Sequence, residues 1–188
     1  MIRSIYKKGD IEELIPLAQN GDVRALEEII KKVQKNIYTI FYHLCDRKED
    51  ILDLTQEVLL KLAKSISQLN NVKKFKSWLD QIVTNVFYDY SRKKQDKFVD
   101  FDNANLDDLK DKIGCEPGEK CFFSEMEKLI KFALMSLPKD LRLTIILREF
   151  EGLSYDEIAK ITDTAIGTVK SRISRARLKL QQELKEFI

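Results

Sequence analysis

Apolar residues in this chain recur at steps of three and four along most of its length, and no alternating run of β-branched residues interrupts them. A chain so patterned hides its apolar stripes only by packing helix on helix, so the expected class is all-α. The pattern is sharpest near the C-terminus. Ser154 and Glu157 form a Ser-x-x-Glu capping box that starts one short helix, with Ile158, Ala159 and Ile161 as its apolar stripe. A second helix follows a tight turn. Its residues Ile166, Val169, Ile173, Ala176 and Leu180 share one face, and Thr168, Ser171 and Arg175 point the other way. Lys170, Arg172 and Arg177 flank that outer stripe, and no acid lies between Ile166 and Gln181. Two helices across a turn, the second basic on its outer face, can enter a major groove and pair with phosphates and guanine edges.

The rest of the chain divides around a segment without periodicity. Helices are expected over Ile11 to Gln19 and Arg24 to Cys45, separated by the turn residues Asn20-Gly21-Asp22, then over Asp50 to Leu69 and, after the break at Asn70-Asn71, over Phe75 to Lys94. From Gln95 to Glu119 aspartates accumulate and Gly114, Pro117 and Gly118 appear, as suits a flexible acidic linker between two small helical domains. Beyond it, helices are expected from Ser124 to Ser136 and from Lys139 to Phe150, divided at Leu137-Pro138. The domain limits drawn from this pattern are 1–95, a linker at 96–122, and 123–188.

The net charge is only +2, from 33 basic and 31 acidic side chains, so a nucleic-acid surface must come from local clustering. Such clusters exist at Arg92 to Lys94 and Lys170 to Arg177. No apolar run approaches the ~18 residues of a membrane span and the N-terminus lacks a signal-peptide core, so the expected compartment is cytoplasmic, without membrane insertion. The three cysteines, Cys45, Cys115 and Cys121, have no metal-ligand spacing. His43 and Cys45 lie at the end of an apolar helical run and read as packed side chains. No metal and no cofactor is expected. No nucleophile is paired with a base and no glycine loop could cradle a phosphate, so the chain is not expected to be an enzyme.

With both halves in view, the chain resembles the extracytoplasmic-function (ECF) sigma factors, small initiation subunits of bacterial RNA polymerase within the sigma-70 family. The likeness runs from Leu14 to Leu184. Its first half is similar to the sigma-two domain through Leu17-Ala-Gln-Asn-Gly-Asp22, Asp53-Leu-Thr-Gln-Glu-Val58, and Phe75-Lys-Ser-Trp-Leu79 with Asn85 and Asp89. The second half is similar to sigma-four through Leu137-Pro138, Leu147-Arg-Glu-Phe-Glu-Gly-Leu-Ser-Tyr155 and Gly167-Thr-Val-Lys-Ser-Arg172. The resemblance implies a promoter-specific factor whose partners are core RNA polymerase and promoter DNA, and an anti-sigma factor is a regulator the family allows.

It also implies sites. Asp53, Leu54, Gln56, Glu57 and Val58 correspond to the helix that docks on the polymerase's largest subunit, and an acidic edge suits a basic partner surface. Asn70, Asn71, Lys73, Lys74 and Asn85, with Arg92, Lys93 and Lys94 at the following helix end, correspond to the part that opens the minus ten element. Amides for bases and cations for phosphates fit single-strand capture. Thr168, Lys170, Ser171, Arg172, Arg175 and Arg177 correspond to the duplex-reading helix at the minus thirty-five element. Trp78 reads as core, and Tyr88 and Tyr90 stay undecided. Four departures from the family pattern stand out: Asp80-Gln81 in place of an aromatic-basic pair, Thr84 in place of arginine, Ala63-Lys64 in place of a frequent tryptophan, and Asp163 at a turn position usually held by glycine. A rival reading, a response regulator with a similar C-terminal module, requires a strand-helix receiver domain that the first half does not spell. A third, a helical protein-binding scaffold, leaves the basic face unexplained.

Overall fold

A computed structural model describes residues 10–97 and 119–185, and every regular element among them is helical. The first group comprises α1 (Ile11–Gln19), α2 (Val23–Leu44), α3 (Lys48–Ser65), two 3-10 turns at Ile66–Gln68 and Val72–Lys74, and α4 (Phe75–Lys97). Asp22 starts α2 by accepting hydrogen bonds from the Arg24 and Ala25 amides at 2.9 and 3.2 Å. From there Ala25, Ile29, Val33, Ile37 and Phe41 bury one stripe of α2. Ile51, Leu54, Val58 and Leu62 of α3 and Leu79, Val83, Val86 and Phe87 of α4 complete the bundle core. The helices pack in chain order, α1 on α2, α2 on α3 and α3 on α4.

The second group comprises α5 (Glu119–Met135), α6 (Lys139–Glu149), α7 (Tyr155–Ile161) and α8 (Ile166–Lys185). Leu143, Ile145, Ile146 and Leu147 bury α6 almost all round, and α8 lies across α5, α6 and α7 through Val169, Ile173 and Ala176. Ile166, expected on that buried face, is instead 41% exposed at the first position of α8.

Helix limits differ from expectation by three residues or more in three places. α3 stops at Ser65, short of Leu69; the Ser65 hydroxyl donates back to the Lys61 carbonyl, and the chain tightens into 3-10 geometry. α4 runs on to Lys97 and α5 begins at Glu119, so helix enters both ends of the segment expected as linker. Residues 98–118 of that segment, Cys115 included, lie outside the described residues.

The two groups touch. α2 packs against α5 and α6, and α4 against α7. Arg142 of α6 donates to the Leu44 carbonyl at the end of α2 (2.8 Å) and to the Met135 and Leu137 carbonyls after α5 (2.8 and 2.9 Å), satisfying acceptors that helix ends leave open. The His43 ring lies 4.5 Å from Phe150, and the Lys131 ammonium sits 3.8 Å from the centre of the Tyr42 ring.

Candidate nucleic-acid interface

The turn between α7 and α8 is built as its sequence requires. The Ser154 hydroxyl accepts from the Glu157 amide at 3.3 Å while the Glu157 carboxylate accepts from the Ser154 amide at 2.8 Å, so the capping box is complete. The Ser154 hydroxyl, which also donates to that carboxylate at 2.7 Å, and the Ser154 amide hold the Glu157 carboxyl below the usual carboxylate range. Gly152, at φ +70°, provides the left-handed step that brings the chain from α6 into this cap. At the other end Asp163 adopts φ +50°, and the Thr164 amide reaches back to the Ala159 carbonyl at 3.0 Å. This is a Schellman ending with aspartate where glycine is usual, so the turn survives the departure.

On α8 the expected residues fall into two sets. Lys170 and Arg175 are exposed and have no ion pair among the described residues, and Thr168, Ser171, Arg172 and Arg175 line one groove of about 550 Å³ beside Asp140 and Leu178. Arg172 and Arg177 are engaged. Arg172, with its side chain only 19% exposed, donates to Asp140 at 3.3 Å and lies near Tyr88 of α4; Arg177 donates to Glu149 at 2.6 Å. The acids that hold these arginines sit on α6, distant in sequence, so no local pattern in α8 announces them.

The loop between α3 and α4 keeps its amides and cations outward. Asn70, Asn71, Lys73 and Lys74 are exposed, and the Asn71 carboxamide also accepts from the Lys73 amide at 3.0 Å, closing the turn. Gln19, not singled out in the sequence, fixes the loop from α1 by donating to the Ile66 and Leu69 carbonyls at 2.9 and 2.8 Å. Farther along α4, Asn85 is exposed and accepts from Gln81, Arg92 pairs with Asp89, Lys93 is exposed and Lys94 donates to the Tyr90 hydroxyl at 3.1 Å. Tyr90 in turn donates to Asp50 at 2.6 Å, and burial followed by that bond pushes its hydroxyl pKa up. Tyr90 is thus a structural link between α4 and α3. Trp78 packs on the core beside Phe75, as its spacing predicts.

The acidic edge of α3 is present with one correction. Asp53 and Gln56 are exposed and Glu57 is partly so, pairing with Lys61 at 2.9 Å, but Leu54 and Val58 are buried in the bundle. A period of 3.6 puts those two residues on the core stripe, so they support the edge without forming its surface. The apolar side chains that do face outward beside it are Leu52 and Leu60, at 45% and 60% exposure. His43 and Cys45 are buried side chains, the thiol pushed up to about 12 by burial, and no group of three metal-ligating side chains occurs among the described residues. No helix among the described residues is long and apolar enough to cross a membrane.

Comparison with known proteins agrees with this layout. Residues 29–97 match the family model Sigma-70 region 2 and residues 128–180 match Sigma-70, region 4. The chain is 31% identical over 188 residues to the ECF RNA polymerase sigma-E factor of Haemophilus influenzae, covering 94% of this chain and 96% of that protein. It is 30% identical to the RNA polymerase sigma-H factor of Pseudomonas aeruginosa, over 94% and 95% of the two chains. Among solved structures, the sigma factor RpoE of Bartonella quintana, crystallised with the anti-sigma factor NepR, superposes with a TM-score of 0.69 at 30% identity, covering 87% of this chain and 98% of that one. Two matched regions in family order, near-complete coverage of the relatives and a helix-turn-helix at the C-terminal end together place this chain in the ECF group of the sigma-70 family of sigma factors.

Proposed function

We propose that the chain is a promoter-specific initiation subunit that binds core RNA polymerase, reads duplex DNA with its C-terminal domain and helps to melt it with its N-terminal domain. The duplex reader at the minus thirty-five element is α8, through Thr168, Lys170, Ser171, Arg172, Arg175 and Arg177. The minus ten strand is taken by the loop from Asn70 to Lys74 with Asn85 and the cations Arg92, Lys93 and Lys94. The polymerase is met by Asp53, Gln56 and Glu57, with Leu52 and Leu60 beside them. The working domain limits are 1–95 and 123–188, and an anti-sigma factor is a fitting regulator, as NepR is for the Bartonella quintana protein.

The observation that carries this reading is the capped helix-turn-helix whose second helix, itself without acids from Ile166 to Gln181, presents Lys170 and Arg175 to the outside. Amides and cations in the exposed loop of the other domain extend it from duplex reading to strand capture. Transcription by purified core polymerase with and without the chain, with transcript ends sequenced, tests it. Transcripts starting at a shared set of promoters only when the chain is present are expected, and their absence would overturn the reading.

A further inference from the structure

One of the departures from the family pattern, the pair Asp80-Gln81, lies where the domains meet. Gln81 donates to the Ile161 carbonyl at the end of α7 at 2.9 Å. Asp80 is 2% exposed and its Oδ2 has no hydrogen-bond partner. Lys76, one helical turn before Asp80, reaches Glu151 of the other domain, itself 5% exposed in the turn after α6, which brings a second buried carboxylate to the same seam. Both Glu151 oxygens accept from the Asn36 amide of α2, at 3.2 and 3.3 Å, and Lys76 of α4 lies 3.6 Å from one of them while donating to the Glu151 backbone carbonyl at 2.6 Å. The seam therefore holds two buried carboxylates, one from each domain, and one ammonium.

The charge balance decides what such a cluster does. With both carboxylates ionised, Lys76 offsets one, and Asp80 is left without a donor in a nearly dry site, an unfavourable arrangement. With a proton on Asp80, one carboxylate faces one ammonium and the cluster is neutral. Separating the domains returns both acids to water, where the proton leaves to solvent. We propose that the buried, unpaired Asp80, beside the Lys76–Glu151 and Gln81–Ile161 bonds that cross the seam, is a clasp that holds the two domains together when Asp80 keeps a proton and releases them when it is lost, so that the free protein opens as pH rises.

The groups facing Asp80 fit this direction. Burial pushes its carboxyl up to about 7, with Glu151 adding to the rise, Lys76 opposing it and Glu157 of α7 adding again. The closed form thus binds the proton more tightly than the open form, where an ordinary aspartate titrates near 4. Closure is favoured below that range and weakens as pH climbs through about 7. His43 works the other way: burial lowers its pKa, so its protonation disfavours the closed form on the acidic side.

The consequence rests on the proposed function. In the closed form Asn70, Asn71 and Lys74 share a groove of about 470 Å³ with Glu157 and Lys160 of the other domain, so opening clears the strand-capturing loop.

The test needs neither polymerase nor DNA, so it fails or succeeds independently of that function. Small-angle X-ray scattering of the full chain at pH 6 and pH 8.5 reads domain separation, the closed form lying near the roughly 16 Å radius of gyration of a compact chain of this length. The parent should expand at the higher pH, Asp80 alone shifting its open-to-closed ratio by roughly tenfold. Asp80→Asn, which is neutral and isosteric, should stay compact at pH 8.5, and any residual trend should run in the His43 direction. Circular dichroism checks that the variant is folded. Glu151→Gln, which removes the like charge from the other side, should reduce the response only in part, because burial of Asp80 is the larger cause. A parent with the same radius at both values, or an Asp80→Asn protein that expands as the parent does, would overturn the clasp.

Discussion

The two regions offered to DNA differ in how much of their polar chemistry the protein uses on itself. In the loop before α4, Asn70, Lys73 and Lys74 stand exposed, and only Asn71 is drawn into a local turn. Of the four α8 cations assigned to DNA, Lys170, Arg172, Arg175 and Arg177, two are occupied, Arg172 by Asp140 and Arg177 by Glu149. An exposed pair such as Arg177–Glu149 is worth only ~0.2–1 kcal/mol, so a phosphate can displace it readily. Arg172 is different, being mostly covered and reached from the N-terminal domain by Tyr88. The loop leaves most of its polar groups without partners inside the protein, whereas part of the helix must first exchange partners.

The largest expected effect lies outside both regions and isolates them from docking. Asp53→Lys with Glu57→Lys should weaken association with core polymerase by roughly a hundredfold, about 2.7 kcal/mol, since reversed charges at a complementary surface repel. Thermal unfolding should move by no more than ~0.5 kcal/mol, because both positions are at the surface. Retained binding in a pull-down would remove this edge from the polymerase site.

Within α8 the contrast between free and engaged cations can be measured directly. Arg175→Ala should cost ~1–3 kcal/mol of promoter affinity if it reads a base, and lower the salt slope by about one if it grips a phosphate. Arg172→Ala should cost less, because the parent gives up Asp140 to reach DNA. Equal losses across a salt titration would erase the distinction between the two arginines.

The loop makes the next test. Asn70→Ala with Asn71→Ala should leave polymerase binding and duplex recognition intact while lowering permanganate reactivity of thymines near the start site, and a template with a pre-opened bubble should restore function. Asn71→Ala alone should also reduce stability by ~0.5–1 kcal/mol through its lost cap on Lys73, a cost Asn70→Ala should not share. If only Asn71 mattered to melting, turn geometry would outweigh base contact.

The smallest effect concerns the cap that orients α7 before the reading helix. Ser154→Ala should cost about 1 kcal/mol in urea unfolding. Because the Glu157 carboxyl is held below its ordinary value, its share of that stability is present above about pH 4.5 and fades as pH falls through the lowered value. The parent and Ser154→Ala should therefore converge in acid.

What the sequence by itself determined is local. Helix class, the capping box at Ser154, the stripes of α2 and α8, the turn at Asp163 and the core position of Trp78 all depend on spacing and on neighbours a few residues away, which a linear pattern records. The same rule shows why Leu54 and Val58 belong to the bundle, although their motif placed them with the polymerase edge. Tertiary structure alone decided which charges stay available. Arg172 finds Asp140 across 32 positions, Lys76 finds Glu151 across 75, and Gln81 finds Ile161 across 80. Asp80 and Gln81 read only as departures in the sequence, and the burial of Asp80 and the Gln81–Ile161 bond appear only where the two domains meet, because burial and pairing depend on distance in space, not on separation along the chain.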